Sequence, residues 1–384
     1  MMNRIYLDHA ATTPVSESVL SEMLPFFNVC WGNASSVYAT GREARKAIEK
    51  ARKQVAEAIG AEPREILFTG GGSESDNLAL KGTAFALQGK GKHIITTAIE
   101  HPAVLKTCRW LEKQGFEITY VMPDPNGVID PDTIRKEIRS DTILISMMAA
   151  NNEIGTTEPV AEVGAIARDR NILFHTDAVQ AAGAVPIDVQ KWNADLLSIS
   201  AHKFYGPKGI GALYVRRGTR LDSLIHGGEQ ERGLRAGTEN VPAIAGLGKA
   251  IENANRDLDK NAAQTALLRD RLISGIMKEI PGVKLNGTMA GRLPNNCNVS
   301  FEGIDGEALL LRLDLAGIAA SSGSACTAGN QEVSHVLKAI GLTENEAKGS
   351  LRLTTGIGNT EKEMDETVCA ISEIVKDLRS LFHG

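Results

Sequence analysis

Nothing in this sequence approaches the ~20 consecutive apolar residues that cross a bilayer. The longest mainly apolar stretch runs from Thr142 to Ala150, so no membrane partner is expected. Basic residues are not in excess either: 42 Lys and Arg against 47 Asp and Glu leave a net charge of −5. Nucleic acid as the main partner calls for a basic surface, and that class is excluded. Cysteine is sparse: Cys30, Cys108, Cys297, Cys326 and Cys369 are odd in number, and no two have C-x-x-C spacing. Zinc ribbons and disulfide scaffolds are thereby excluded. His9, His93, His175, His226 and His383 show no ligand spacing, so no metal site is expected. The opening residues include Asn3, Arg4, Asp8 and His9 rather than an apolar run, which reads against a signal peptide. The expectation is a soluble protein of a reducing, cytoplasmic compartment.

What is present is an ordinary globular composition, 42% hydrophobic and 23% charged. The 384 residues suggest two or three domains. Apolar residues at helical spacing predict a helix over Gly41–Ala61, and Ser73–Gln88 carries a second helical pattern. Short apolar runs predict strands at Glu65–Thr69, His93–Thr97, Ile118–Val121, Thr142–Met148, Ile172–His175, Leu196–Ser200 and Gly211–Val215. Strands alternating with helical stretches imply an α/β fold with a mainly parallel sheet flanked by helices. Asn253–Glu279 reads as a long charged helix, followed by shorter elements. The expected plan is a large domain over 15–256, and a smaller α+β domain built from 1–14 and 257–384.

Three segments carry chemistry. Phe68-Thr69-Gly70-Gly71-Gly72-Ser73 joins a strand to a helix. Glycines and free helix N–H groups suit an anion, although the spacing matches neither a dinucleotide fingerprint nor a P-loop. An ordinary turn capped by Ser73 explains it equally well. Asp177, directly after a strand, sits where open α/β sheets bind ligands, and it can keep a ring nitrogen protonated. Taken alone it is more simply a helix cap. Ser200-Ala201-His202-Lys203 follows another strand. A partly desolvated Lys203 can form a Schiff base, whereas a lone lysine is ordinarily a solvated surface charge.

Asp177-x-x-Gln180 followed by Ser200-x-His202-Lys203 resembles the signature of class-V aminotransferases, which use pyridoxal 5′-phosphate. Ser321-Ser322-Gly323-Ser324-Ala325-Cys326 narrows the resemblance to cysteine desulfurases of the NifS/IscS type. Tyr6–Pro14, Glu100–Val104, Asn151–Gly155 and Glu231–Thr238 support it, in family order over nearly the whole chain. Two segments depart from the pattern. Ala34 and Tyr38 stand where the family usually has proline and often histidine, and Gly356-Ile357-Gly358 lacks an arginine that often follows its first glycine.

The resemblance implies the pyridoxal-phosphate transferase fold type I. It implies that Lys203 holds the cofactor as a Schiff base and that Asp177 pairs with the ring nitrogen. Gln180 and Asn152 would lie near the phenolic oxygen, and His101 would stack on the ring and shuttle protons. Gly72, Ser73, Ser200 and His202 would grip the phosphate. Thr238 would reach the phosphate of a neighbouring subunit in a homodimer. Arg352, with Asn152, would bind the carboxylate of L-cysteine. Cys326 would take the sulfur as a persulfide and pass it to an acceptor protein, for iron–sulfur clusters, thio-cofactors or thiolated tRNA. A selenocysteine lyase or aminotransferase on the same fold is the alternative activity, and a scaffold that has lost its chemistry is the non-catalytic one. His335, just beyond the Cys326 loop, is expected to pack.

Overall fold

The computed structural model describes residues 4–322 and 333–382. Its centre is a seven-stranded sheet. In spatial order the strands are Ile66–Thr69, Gly211–Val215, Leu196–Ser200, Leu173–Asp177, Thr142–Ser146, His93–Thr97 and Glu117–Val121. Gly211–Val215 runs antiparallel to both of its neighbours, and the pairings from Leu196–Ser200 onward are all parallel. The inner parallel strands are buried because helices cover both faces; every residue of His93–Thr97, Thr142–Ser146 and Leu196–Ser200 is buried.

The shared strand direction has one consequence for chemistry. The carboxyl ends of Ile66–Thr69, His93–Thr97, Thr142–Ser146, Leu173–Asp177 and Leu196–Ser200 open onto the same edge of the sheet. The segments that leave those ends begin with Gly70, Ala98, Met147, Ala178 and Ala201.

The helix expected at Gly41–Ala61 spans Ala39–Ile59 and stops at Gly60, which takes the left-handed conformation at φ 71°. Asn253–Glu279 is not one helix. Val241–Arg256 and Leu258–Glu279 are separated at Asp257, whose backbone leaves helical geometry at φ −102° and ψ 14°. The Asp257 carboxylate turns back on Arg256 at 2.6 Å.

A second apolar cluster gathers Leu7, Leu272, Ile276, Val299, Phe301, Leu351, Leu353, Ile371 and Val375. It lies around a three-stranded antiparallel sheet of Val283–Leu285, Asn296–Phe301 and Ser350–Thr354. The chain start joins it, since Ile5–Tyr6 pairs with Ile318–Ala319 and Asp8 bridges to Thr354. Val336, Leu337 and Ile340 pack instead with the main core.

Candidate active site

A cavity of about 330 Å³ lies at the carboxyl edge of the large sheet. Gly72, Ser73, His101, Asn152, Asp177, Gln180, Ser200, His202, Lys203 and Arg352 all line it. Residues from six separate segments of the sequence thus meet in one volume. Thr238 is exposed and lies elsewhere, on the loop that follows the 3₁₀ turn Gln230–Gly233. Cys326 lies outside the described residues.

Lys203 enters from the short turn after Leu196–Ser200. Its Nζ donates to the carbonyls of Ala10 and Ala11 at 2.6 and 2.9 Å. Burial and the nearby Arg352 cation bring its pKa down from 10.5 to about 8, against the pull of Asp177 and Asp8. At neutral pH roughly a tenth of such an amine is uncharged, and only the uncharged amine attacks an aldehyde. His202, beside it, bonds Thr12 Oγ1 at 3.2 Å. Burial and two lysines lower its pKa to about 4, so it is a neutral ring.

Asp177 closes the strand Leu173–Asp177. Its carboxylate accepts from the Val179 amide at 2.9 Å. Burial raises its pKa, and the neighbouring His101 and Lys203 pull it back. A cation set against it inside the cavity keeps it ionised. His101 caps the helix Pro102–Glu112, its Nδ1 accepting from the Ala103 amide at 3.1 Å. That bond leaves the proton of the neutral ring on Nε2. Gln180 donates from Nε2 to the Ala10 carbonyl at 3.0 Å.

Gly71 and Gly72 open the helical segment after Ile66–Thr69, facing Ser200. Gly71 has φ 147°, a conformation that favours glycine. A Cβ on Gly72 would lie 2.8 Å from Val179 Cγ2 and 3.5 Å from Ser200 Cβ. The Gly71 amide turns to Thr69 Oγ1 at 3.5 Å, while Gly72 and Ser73 line the cavity at the start of the helical segment, where free backbone N–H groups suit an anion. Arg352 comes from Ser350–Thr354. Its Nη2 meets Asp8 Oδ1 at 2.9 Å and its Nη1 donates to the Asn152 carbonyl at 3.1 Å. Its Nε is buried without a hydrogen-bond partner among the described residues.

Residue pattern alone missed several neighbours. Asp76 lines the cavity one turn after Gly72, with Oδ1 buried, 3.7 Å from His175 Nε2 and without a hydrogen bond among the described residues. Burial, together with Asp177, pushes its pKa well above the usual carboxylate range. The four-residue spacing from Gly72 marks the shared helix face. Glu100, beside His101, is fully buried; it accepts from Thr97 Oγ1 and the Met148 amide, and burial raises its pKa to about 8. The Ala10 and Ala11 carbonyls have no side-chain signature. His335 donates from Nε2 to the Glu100 carbonyl at 2.9 Å. Among the described residues, no group of three or more His, Cys, Asp or Glu is placed to hold a metal ion.

Residues 5–367 match the model of the family described as aminotransferase class-V. The chain belongs to that family. Family members are pyridoxal-phosphate enzymes, and the donor set here fits that cofactor. It offers a depressed amine, a carboxylate for a ring nitrogen and a glycine cradle for a phosphate. Among its relatives, a cysteine desulfurase IscS of Methanosarcina thermophila is 55% identical over 98% of this chain and 93% of its own length. Another, from Dictyoglomus turgidum, is 53% identical over 99% and 97%. A solved NifS-like protein superposes with a TM-score of 0.92 at 42% identity, covering 97% of this chain and 99% of that one. A structure of SspA in complex with cysteine gives 0.82 at 40% identity, over 92% and 99%.

Proposed function

We propose that this chain is a cysteine desulfurase, which converts L-cysteine to L-alanine and retains the sulfur as a persulfide on Cys326. The observation that carries the reading is the meeting of Lys203, Asp177, the Gly72–Ser73 turn and Arg352 in one cavity. In this reading Lys203 holds pyridoxal phosphate through its amine. Asp177 takes the ring nitrogen, Gln180 and Asn152 the phenolic oxygen side, and His101 the ring face. The Gly72 amide, Ser73, Ser200 and His202 take the phosphate. The bound cofactor supplies an electron sink for charge left on the substrate carbon.

The rest is done by the chain. Arg352, with Asn152, receives the substrate carboxylate, a task suited to a planar fork of donors. Lys203 Nζ accepts the substrate's α-proton once its amine is free. In the neutral His101 ring the proton sits on Nε2, because Nδ1 accepts from the Ala103 amide, and Nε2 is the atom through which the ring gives and retakes a proton as the shuttle. The Cys326 sulfur forms a bond to the substrate sulfur as the carbon–sulfur bond breaks, and the thiolate form is the nucleophile.

Two experiments test the reading. Borohydride treatment should bleach a yellow protein and leave the label on Lys203; a colourless protein that takes up no cofactor sinks the proposal. Cys326→Ala should abolish sulfide release from cysteine while cofactor loading persists. Persistence of parental sulfide release in that variant would favour a lyase chemistry that does not need Cys326; an aminotransferase would leave the carbon–sulfur bond intact and release no sulfide.

A homodimer belongs to the same proposal. Phe27, Val29, Trp31, Val37 and Tyr38 are large apolar side chains left in water, Trp31 at 69% and Val37 at 84% exposure. Their segment shares a groove with Glu229–Arg232 and Glu239, the loop that carries Thr238. Apolar surface of this extent beside a loop pointing outward fits a second copy of the chain. The sulfur acceptor is proposed to be a protein and the location cytoplasmic. No helix among the described residues is long and apolar enough to cross a membrane.

A further inference from the structure

Arg352 is the strongest cation in the cavity, and the chain itself already supplies it with an anion. Asp8 Oδ1 stands 2.9 Å from Nη2 in a single contact, not a two-pronged one. The Asn152 carbonyl takes Nη1. Nε, on the edge of the guanidinium that a carboxylate grips side-on, is buried and has no hydrogen-bond partner among the described residues. The Arg352 side chain is 9% exposed and that of Asp8 20%, so the carboxylate is the wetter and less confined of the two. The backbone around Asp8 is nonetheless pinned. Its carbonyl accepts from the amide of Ala11 and the hydroxyl of Tyr6, and its residue bridges to Thr354. The position of the residue is set by its backbone, and Arg352 is the ion-pair partner of its side chain.

Full use of Arg352 by an incoming carboxylate requires Nη2 and Nε together. Asp8 holds the first, and no described residue hydrogen-bonds the second. We propose that Asp8 is a specificity-determining counter-ion that competes with the substrate's α-carboxylate for Arg352 and thereby sets the affinity of the site for carboxylate ligands. The inference rests on the reading of Arg352 as the carboxylate clamp. It adds a residue whose negative charge opposes binding, and so holds the site open to exchange of substrate and product.

The test compares two thiols on the pyridoxal-phosphate-loaded enzyme by titration calorimetry. One is 3-mercaptopropionate, which carries a carboxylate and no amine; the other is its neutral amide, 3-mercaptopropanamide. Asp8→Asn keeps the shape and removes the charge. It should tighten 3-mercaptopropionate by roughly three- to fivefold, the range of a partly exposed ion pair, and leave the amide unchanged. Asp8→Glu keeps the charge and should retain the parental affinity for both. An Asp8→Asn variant that binds 3-mercaptopropionate equally or more weakly overturns the inference, as does an Asp8→Glu variant that tightens it. Asp8→Ala, with its melting curve, covers the case in which the asparagine variant folds poorly, and the same tightening is expected. Arg352→Gln separates the two levels. If it weakens 3-mercaptopropionate and spares the amide, the clamp stands and Asp8 is judged on its own variants. If it moves neither ligand, the clamp and the counter-ion fall together.

Discussion

Lys203 and Glu100 show how burial alone prepares single residues. A lysine at its ordinary pKa is almost wholly charged at neutral pH. With its pKa near 8, the rate at which the cofactor-free protein takes up pyridoxal phosphate should rise roughly tenfold per pH unit up to about pH 7, then level off above about pH 9. Stopped-flow absorbance reads this, and a flat profile from pH 6 to 9 would remove the depressed amine. Glu100 works in the opposite sense. Its folded pKa, about 8, lies above the unfolded 4.5, so the folded state binds the extra proton between those values. The stability this contributes is complete below about pH 4.5 and is lost as pH rises through about 8. Glu100→Gln should flatten that loss, on the order of a few kcal/mol between pH 5 and 9, in urea melts at each pH. An unchanged slope would show that Glu100 is ionised in the fold. Neither shift is legible in the sequence, because Glu100 and Lys203 look there like any other charged residues. Their pKa values depend on what the fold packs around them.

At the scale of elements, the glycine junction and one buried ion pair hold the edge of the sheet in working shape. Gly72→Ala would set a Cβ 2.8 Å from a Val179 methyl that has little room to move. It should cost about 1–3 kcal/mol of stability and weaken cofactor binding by more than tenfold in equilibrium dialysis; binding at parental strength would mean that the cradle is not used. Arg52, on Ala39–Ile59, makes a two-pronged pair with Glu231 at 2.8 and 2.9 Å. The Glu231 carboxylate also accepts from the Phe68 amide at 3.0 Å. The pair holds a strained turn, with Glu231 at φ 47° and Arg232 at φ 59°, against the strand that leads to Gly70. Removing one partner leaves a buried charge. Arg52→Met should therefore destabilise by about 3–5 kcal/mol, and the double change with Glu231→Met by clearly less. Equal losses in the two variants would make the pair irrelevant. The elements themselves were legible: strands at His93–Thr97, Leu196–Ser200 and Gly211–Val215 fall where apolar runs predict them. The break at Asp257 was not, because the charged pattern continues through it and one residue's backbone geometry decides it.

For the whole molecule, the apolar patch around Trp31 and Val37 makes the dimer the feature most open to test. If the proposed dimer uses this patch, Trp31→Asp with Val37→Asp should sediment as a monomer at equilibrium where the parent sediments as a dimer; an unchanged dimer in that variant would move the proposed interface elsewhere. What the sequence by itself determined is the chemistry and the order of the parts. Asp177-x-x-Gln180, Ser200-x-His202-Lys203 and the glycine turn name their residue types, and strand–helix alternation places each after a strand. The same motifs carry the resemblance to the family, and the family model matches residues 5–367. Tertiary structure decided the rest. Lys203 is bound by carbonyls of Ala10 and Ala11, almost two hundred positions away, and Arg352 by a carboxylate at the opposite end of the chain. Contacts of that separation leave no local pattern in sequence. They arise when parallel strands bring their carboxyl ends to one edge and the chain start packs beside Ser350–Thr354, and burial there sets the charges on which the chemistry runs.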